Sequence, residues 1–189
     1  MQQFQTDIKY TMYMKKIIII LLILLPAVCF AQNKKSLNHF WSIPWGISIE
    51  QAEAIFTERG FYSSRAENTL MAEAEYEREN AFILLIFNRA NRLHSAHVIY
   101  AACPETTISK YEHYRALLFR RYGPPDTAVA YFEEPYQNGD GREIEAILTD
   151  NALLFTEWNF EDGNFASISI LSSLEVCLTF RNPGFADSR

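Results

Sequence analysis

The chain has 189 residues, with 17 Lys and Arg against 23 Asp and Glu and a net charge of −6. That acidic balance repels nucleic-acid phosphates and excludes a nucleic-acid ligand. With 49% hydrophobic and 14% aromatic residues, the composition is that of a packed globular core, not of a disordered segment.

The first thirty-one residues read as a secretory signal peptide. Lys15 and Lys16 form the basic region, Ile17–Leu25 is an unbroken Ile/Leu run, and Cys29-Phe30-Ala31 offers a cleavage site before Gln32. Met14 reads as an alternative start, which would make residues 1–13 a misassigned extension. A lipidated Cys29 is the rival reading, although Val28 is bulkier than the small residue such a site takes. The apolar run is too short for a good membrane span, so none is expected in the mature chain. Residues 32–189 hold 14 Lys and Arg against 22 Asp and Glu, a net of −8. They are expected to form a single α+β domain, with a division into two halves near residue 104 left open.

Within Phe40–Phe61, Pro44 sets the chain direction, Gly46 permits a tight turn, and Ser48 with Gln51 forms a capping box. Ile49, Ala52, Ile55 and Phe56 then share a helical face, and Gly60 stops a helix of about Ile49–Arg59. Trp41 and Trp45 are expected to cover this start as apolar lids, with a ligand-binding aromatic clamp as the alternative. Leu70, Ala72, Ala74 and Tyr76 alternate with Met71, Glu73, Glu75 and Glu77, predicting a strand with an acidic face. Ala81–Phe87 reads as a central strand, Asn88–Asn91 as a hairpin loop, and Leu93–Ala101 as a third strand. A second helix begins near Thr107 and ends at Gly123-Pro124-Pro125. Strands are predicted over Thr127–Glu133, Glu143–Leu148, Ala152–Phe160, Phe165–Leu171 and Leu174–Phe180. The expected architecture is therefore an antiparallel sheet of about seven strands with two short helices on one face.

The entry Ile43-Pro44-Trp45-Gly46-Ile47-Ser48 and the stop Tyr122-Gly123-Pro124-Pro125 resemble those of small exported modules of bacterial envelopes. The arrangement is similar to the beta-lactamase inhibitor protein fold and to the SmpA/OmlA-type outer-membrane assembly lipoproteins. The resemblance implies a helical layer on one face of an antiparallel sheet and action by binding other proteins.

Chemistry is sparse. Cys103 and Cys177, the only cysteines after the leader, read first as a disulfide in an exported protein, with two buried thiols as the alternative. His94 and His97 lie three apart, which on a strand directs them to opposite faces and away from a common metal. His113 falls on the second helix. Cys103 lacks a recognisable nucleophile setting, and Asn138–Gly141 lacks the acidic spacing of a calcium loop. No catalytic, cofactor-binding or metal-ligating set is therefore assigned. Glu73, Glu75 and Glu77 form the candidate partner face, either a solvated sheet surface or an acidic patch for a basic partner or a divalent cation. The expected function is that of an exported periplasmic or secreted envelope protein, binding or scaffolding without catalysis through contacts to another envelope or extracellular protein. A small secreted enzyme with an unrecognised site is the alternative.

Overall fold

In a computed structural model, which describes residues 36–187, the capping box at Ser48 forms as the sequence predicts. The Gln51 N–H donates to Ser48 Oγ at 3.4 Å, and the Ser48 N–H donates to Gln51 Oε1 at 2.9 Å. Helix α1 runs over Ile49–Glu58 and buries Ile49, Ala52 and Phe56. It ends in a Schellman turn: the N–H of Gly60, at φ +80°, reaches Thr57 O, and that of Phe61 reaches Phe56 O at 2.9 Å. The expected signal peptide, its cleavage site and Cys29 lie outside the described residues.

Before α1, β1 (His39–Phe40) and β2 (Ile43–Pro44) form a small hairpin. Trp41 and Ser42 at its tip both have positive φ, as a two-residue primed turn requires. Trp41 stacks on Phe61 at 5.6 Å and meets Tyr76 edge-on at 5.7 Å, with the Arg59 guanidinium 4.8 Å from its ring centre. Trp45 is buried and donates its indole N–H to Leu37 O at 2.6 Å. Both indoles thus pack within the protein, tying the hairpin to α1 and the sheet.

The main sheet contains β3 (Ser63–Ala66), β4 (Thr69–Tyr76), β5 (Glu79–Phe87), β6 (Leu93–Tyr100), β7 (Thr127–Phe132), β8 (Ala152–Asn159), β9 (Phe165–Ile170) and β10 (Val176–Arg181). Their spatial order is β3-β4-β5-β6-β10-β9-β8-β7, every pairing antiparallel. Two meanders therefore meet where the last strand pairs with β6. Helix α2 (Thr107–Tyr122) lies against β9 and β10, and α3 (Glu143–Leu148) against β8. The α+β class holds, with eight strands in the main sheet and three helices among the described residues.

Three details differ from expectation. Ser63–Ala66 adds an edge strand, a run too short and too polar to show an apolar alternation. Glu143–Leu148 is a helix and not a strand. A strand would send Ala146 and Ile147 to opposite faces, whereas the helix gathers Ile144, Ala146 and Ile147 toward the core. Glu77 is not a strand residue: β4 ends at Tyr76, and Glu77 and Arg78 form a two-residue turn with φ of 53° and 69°. Among the described residues, no helix is long and apolar enough to cross a membrane.

One sheet face carries the core. Leu70, Ile83, Val98, Leu178, Ile168 and Trp158 are each fully or almost fully buried on it. Helix α2 closes this side with Tyr114, which stacks on Tyr100 at 4.0 Å, and with Tyr111, whose hydroxyl meets Thr156 Oγ1 at 2.8 Å. The opposite face presents the alternate residues of the same strands, and the candidate site lies there.

Candidate functional site

Strand register assembles this site. Glu73 lies beside Phe82, Phe82 beside Ile99, and Ile99 beside Cys177, across β4, β5, β6 and β10. The next row outward places Glu75 beside Asn80. Because alternate strand residues share a face, Glu73 and Glu75 stand together on the outer side, as their sequence alternation predicts. A groove of about 890 Å³ opens here, lined by Glu73, Glu75, Asn80, Phe82, Ile99, Ala101 and Glu175, with Phe61 at its margin. A second depression of about 460 Å³ shares Phe61, Glu73 and Phe82 and continues to Met71 and Tyr62. Phe82 is 41% exposed and Tyr62 97% exposed.

Three carboxylates surround the groove, and among the described residues its lining contains no Lys, Arg or His. Glu175 Oε2 is buried with no hydrogen-bond partner among the described residues, leaving an acceptor of high desolvation cost. Apolar floor and acidic rim together suit a ligand that is apolar in its body and cationic in its head group, such as a Lys or Arg side chain.

Glu77, expected on the same face, is elsewhere. It pairs with Arg121 of α2, while Glu79 pairs with Lys110 and accepts the Tyr114 hydroxyl at 2.7 Å. These two glutamates join the β4–β5 turn to α2 and hold one end of the groove in place. Glu175, Asn80, Ile99 and Ala101 were not indicated by sequence. Glu175 lies just before β10, 102 positions from Glu73, and only the β6–β10 pairing brings it to the groove.

The cysteines are not bonded. Cys103 is exposed and free, its Sγ 3.2 Å from Thr106 Oγ1; Cys177 is buried and free, its Sγ 3.9 Å from His97 Nδ1. The expected pairing fails because register sets Cys177 opposite Ile99 within β6, while Cys103 lies beyond the end of that strand at the entry to α2. His97 also touches Ser95 Oγ at 3.2 Å through Nε2 and Thr179 Oγ1 at 3.1 Å through Nδ1. This cluster is invisible to sequence spacing, since Cys177 and His97 are neighbours only through strand pairing. Its electrostatics oppose a thiolate–imidazolium pair: burial pushes the Cys177 thiol up, and burial followed by the Arg181 charge holds His97 down. His113 lies on α2, edge-on to Tyr114 at 5.1 Å. Among the described residues, no group of three or more His, Cys, Asp or Glu is placed to hold a metal ion.

The histidines make stability pH-dependent. Burial, the Arg181 charge and His94 lower the His97 pKa, and burial followed by Arg181 lowers that of His94. The unfolded chain therefore takes up these protons first. Their contribution is whole above about pH 6.5 and declines as pH falls toward the folded values. The melting temperature is expected to fall between pH 7 and pH 5, and His97→Gln to flatten that slope. A variant with the wild-type slope would assign the proton uptake to other groups. Comparison with known proteins places the chain in no group: it matches no family model, no curated protein and no solved structure.

Proposed function

We propose that this chain is an exported envelope binding module, without catalytic activity of its own, that holds a basic, partly apolar segment of another envelope or extracellular protein. The observation that carries this reading is the groove in which Glu73, Glu75 and Glu175 surround exposed Phe82 and half-buried Ile99, with no cation among the described residues of the lining. Interfaces draw their affinity from a desolvated apolar centre, and their association rate and specificity from the charged rim. The resemblance of the Ile43–Ser48 entry and the Tyr122–Pro125 stop to envelope modules that act by binding supports the same reading. For the alternative, a small secreted enzyme, the Cys177–His97 pair would be the candidate centre. Its burial favours neutral thiol and neutral imidazole, the wrong states for nucleophilic attack.

Replacing Glu73 and Glu75 with Gln tests the proposal. Both side chains are exposed, so folding stability is expected to change by no more than about 0.5 kcal/mol. A photo-crosslinking residue at position 82 should capture a discrete partner from envelope extract. Capture should fall about tenfold in the double variant and weaken at high salt, because screening acts within ~8–10 Å. Equal crosslinking by wild type and variant at both salt concentrations, with both folded, would remove the groove as the partner site.

A further inference from the structure

The two edges of the main sheet are built differently. Strand β3 is four residues long and carries Arg65, which pairs with Glu50 at 2.9 Å. Strand β7, at the other edge, reads Thr-Ala-Val-Ala-Tyr-Phe: six residues with no charge and no proline. Its register with β8 is continuous, without a bulge. Short strands, charges, prolines and bulges are the usual protections of a sheet edge, and β7 has no charge, proline or bulge within Thr127–Phe132. Among the described residues, no backbone hydrogen bond reaches its outer side.

A groove of about 290 Å³ runs along Ala128 and Ala130 on the helical side, walled by Ile108, Glu112 and Arg115 of α2 and by Glu143. On the other side Tyr131 is 56% exposed. A strand laid against β7 would find backbone partners along its length. Its side chains would alternate between the groove and Tyr131, the arrangement used in strand-addition recognition.

We propose that β7 is a second interaction surface, which binds an extended segment of a partner protein by strand addition, the segment bearing Lys or Arg at its ends. Charge selects this occupant. Glu133 and Glu134 are exposed at the end of β7, and Glu143 walls the groove. Among the described residues of that lining, Arg115 is the one cation, and its pairing with Glu112 at 2.6 Å cancels both charges. A second copy of this chain, whose own β7 carries no cation and whose net charge is −6, would bring no positive group on its edge strand to these glutamates. The site is separate from the Glu73–Glu175 groove and does not depend on its role.

The test uses the folded protein and a fluorescent synthetic peptide of alternating Val and Thr with lysines at both ends. Fluorescence anisotropy should show binding about tenfold tighter than for the same peptide with glutamates at its ends. Methylation of alternate peptide nitrogens on the pairing side should abolish it, because the added backbone bonds carry affinity. Ala128→Arg with Ala130→Arg, both exposed, should weaken binding about tenfold, and Glu73→Gln with Glu75→Gln should leave it unchanged. Should the double Arg variant misfold, the methylated peptide still decides the question with the wild-type protein. Absence of binding, equal binding of the Lys- and Glu-ended peptides, or indifference to methylation would overturn the proposal. So would a homodimer in sedimentation that is lost in the double Arg variant, which would give the edge to a second copy.

Discussion

Gly46→Ala is expected to destabilise the protein by about 2–4 kcal/mol, through left-handed backbone strain and overpacking together. Gly46 has φ +79°, and a Cβ there would lie 2.6 Å from Phe185 Cζ and 2.7 Å from Phe185 Cε1. The backbone cannot relax freely, because the Gly46 N–H donates to Leu93 O at 2.9 Å and its carbonyl accepts from Arg92 at 2.9 Å. Nor can the ring retreat at no cost. Phe185 ends the 3₁₀ turn Pro183–Phe185, and its carbonyl accepts the Asn88 side-chain N–H at 2.6 Å. Urea denaturation of Gly46→Ala, Phe185→Ala and the double variant separates the two contributions. The steric part should vanish in the double variant while the backbone part remains, giving a coupling energy of about 1 kcal/mol or more. Additive losses would show that the ring and the glycine do not constrain each other.

Trp158→Ala is expected to cost about 3–5 kcal/mol, the range for removing a large aromatic from a packed core. Trp158 is fully buried in β8, and its indole N–H donates to Gly123 O at 2.8 Å. It therefore fills the core and also satisfies a carbonyl at the residue that ends α2, where Gly123 stands at φ +80°. For a domain of this size the melting temperature should fall on the order of 10 °C. Trp158→Phe keeps most of the volume but loses the donor, and should cost less, about 1–3 kcal/mol. Equal loss in the two variants would assign the effect to the hydrogen bond alone. Because β8 lies far along the sheet from Glu73 and Glu75, the folded fraction of either variant should retain the partner capture proposed for the groove.

Local chemistry made much of the fold legible without coordinates. Ser48 and Gln51 define one helix start, Gly60 its end and Gly123-Pro124-Pro125 the end of the other, because capping and φ preferences act over a few residues. Alternation in Leu70–Tyr76 likewise placed Glu73 and Glu75 on one sheet face. That rule fails at the first turn, however, so Glu77 joined them on paper while the chain uses it in a two-residue turn facing Arg121. Glu143–Ala146 alternates as a strand would, and the stretch to Leu148 also suits a helix. Packing of Ala146 and Ile147 on the same side decided between the two.

The remaining decisions are non-local. Nothing near Cys177 in sequence announces His97, and nothing near Glu175 announces Glu73. Antiparallel pairing of β10 with β6, and of β6 with β5 and β4, sets these residues side by side. The same pairing carries Cys177 away from Cys103 and leaves both thiols free. Sequence by itself determined the helix caps, the inside and outside of the better strands and the acidic character, since these follow from backbone preference and side-chain polarity at each position. Strand order alone decided which acids share a groove and which edge stays open, because register joins residues that chain distance separates.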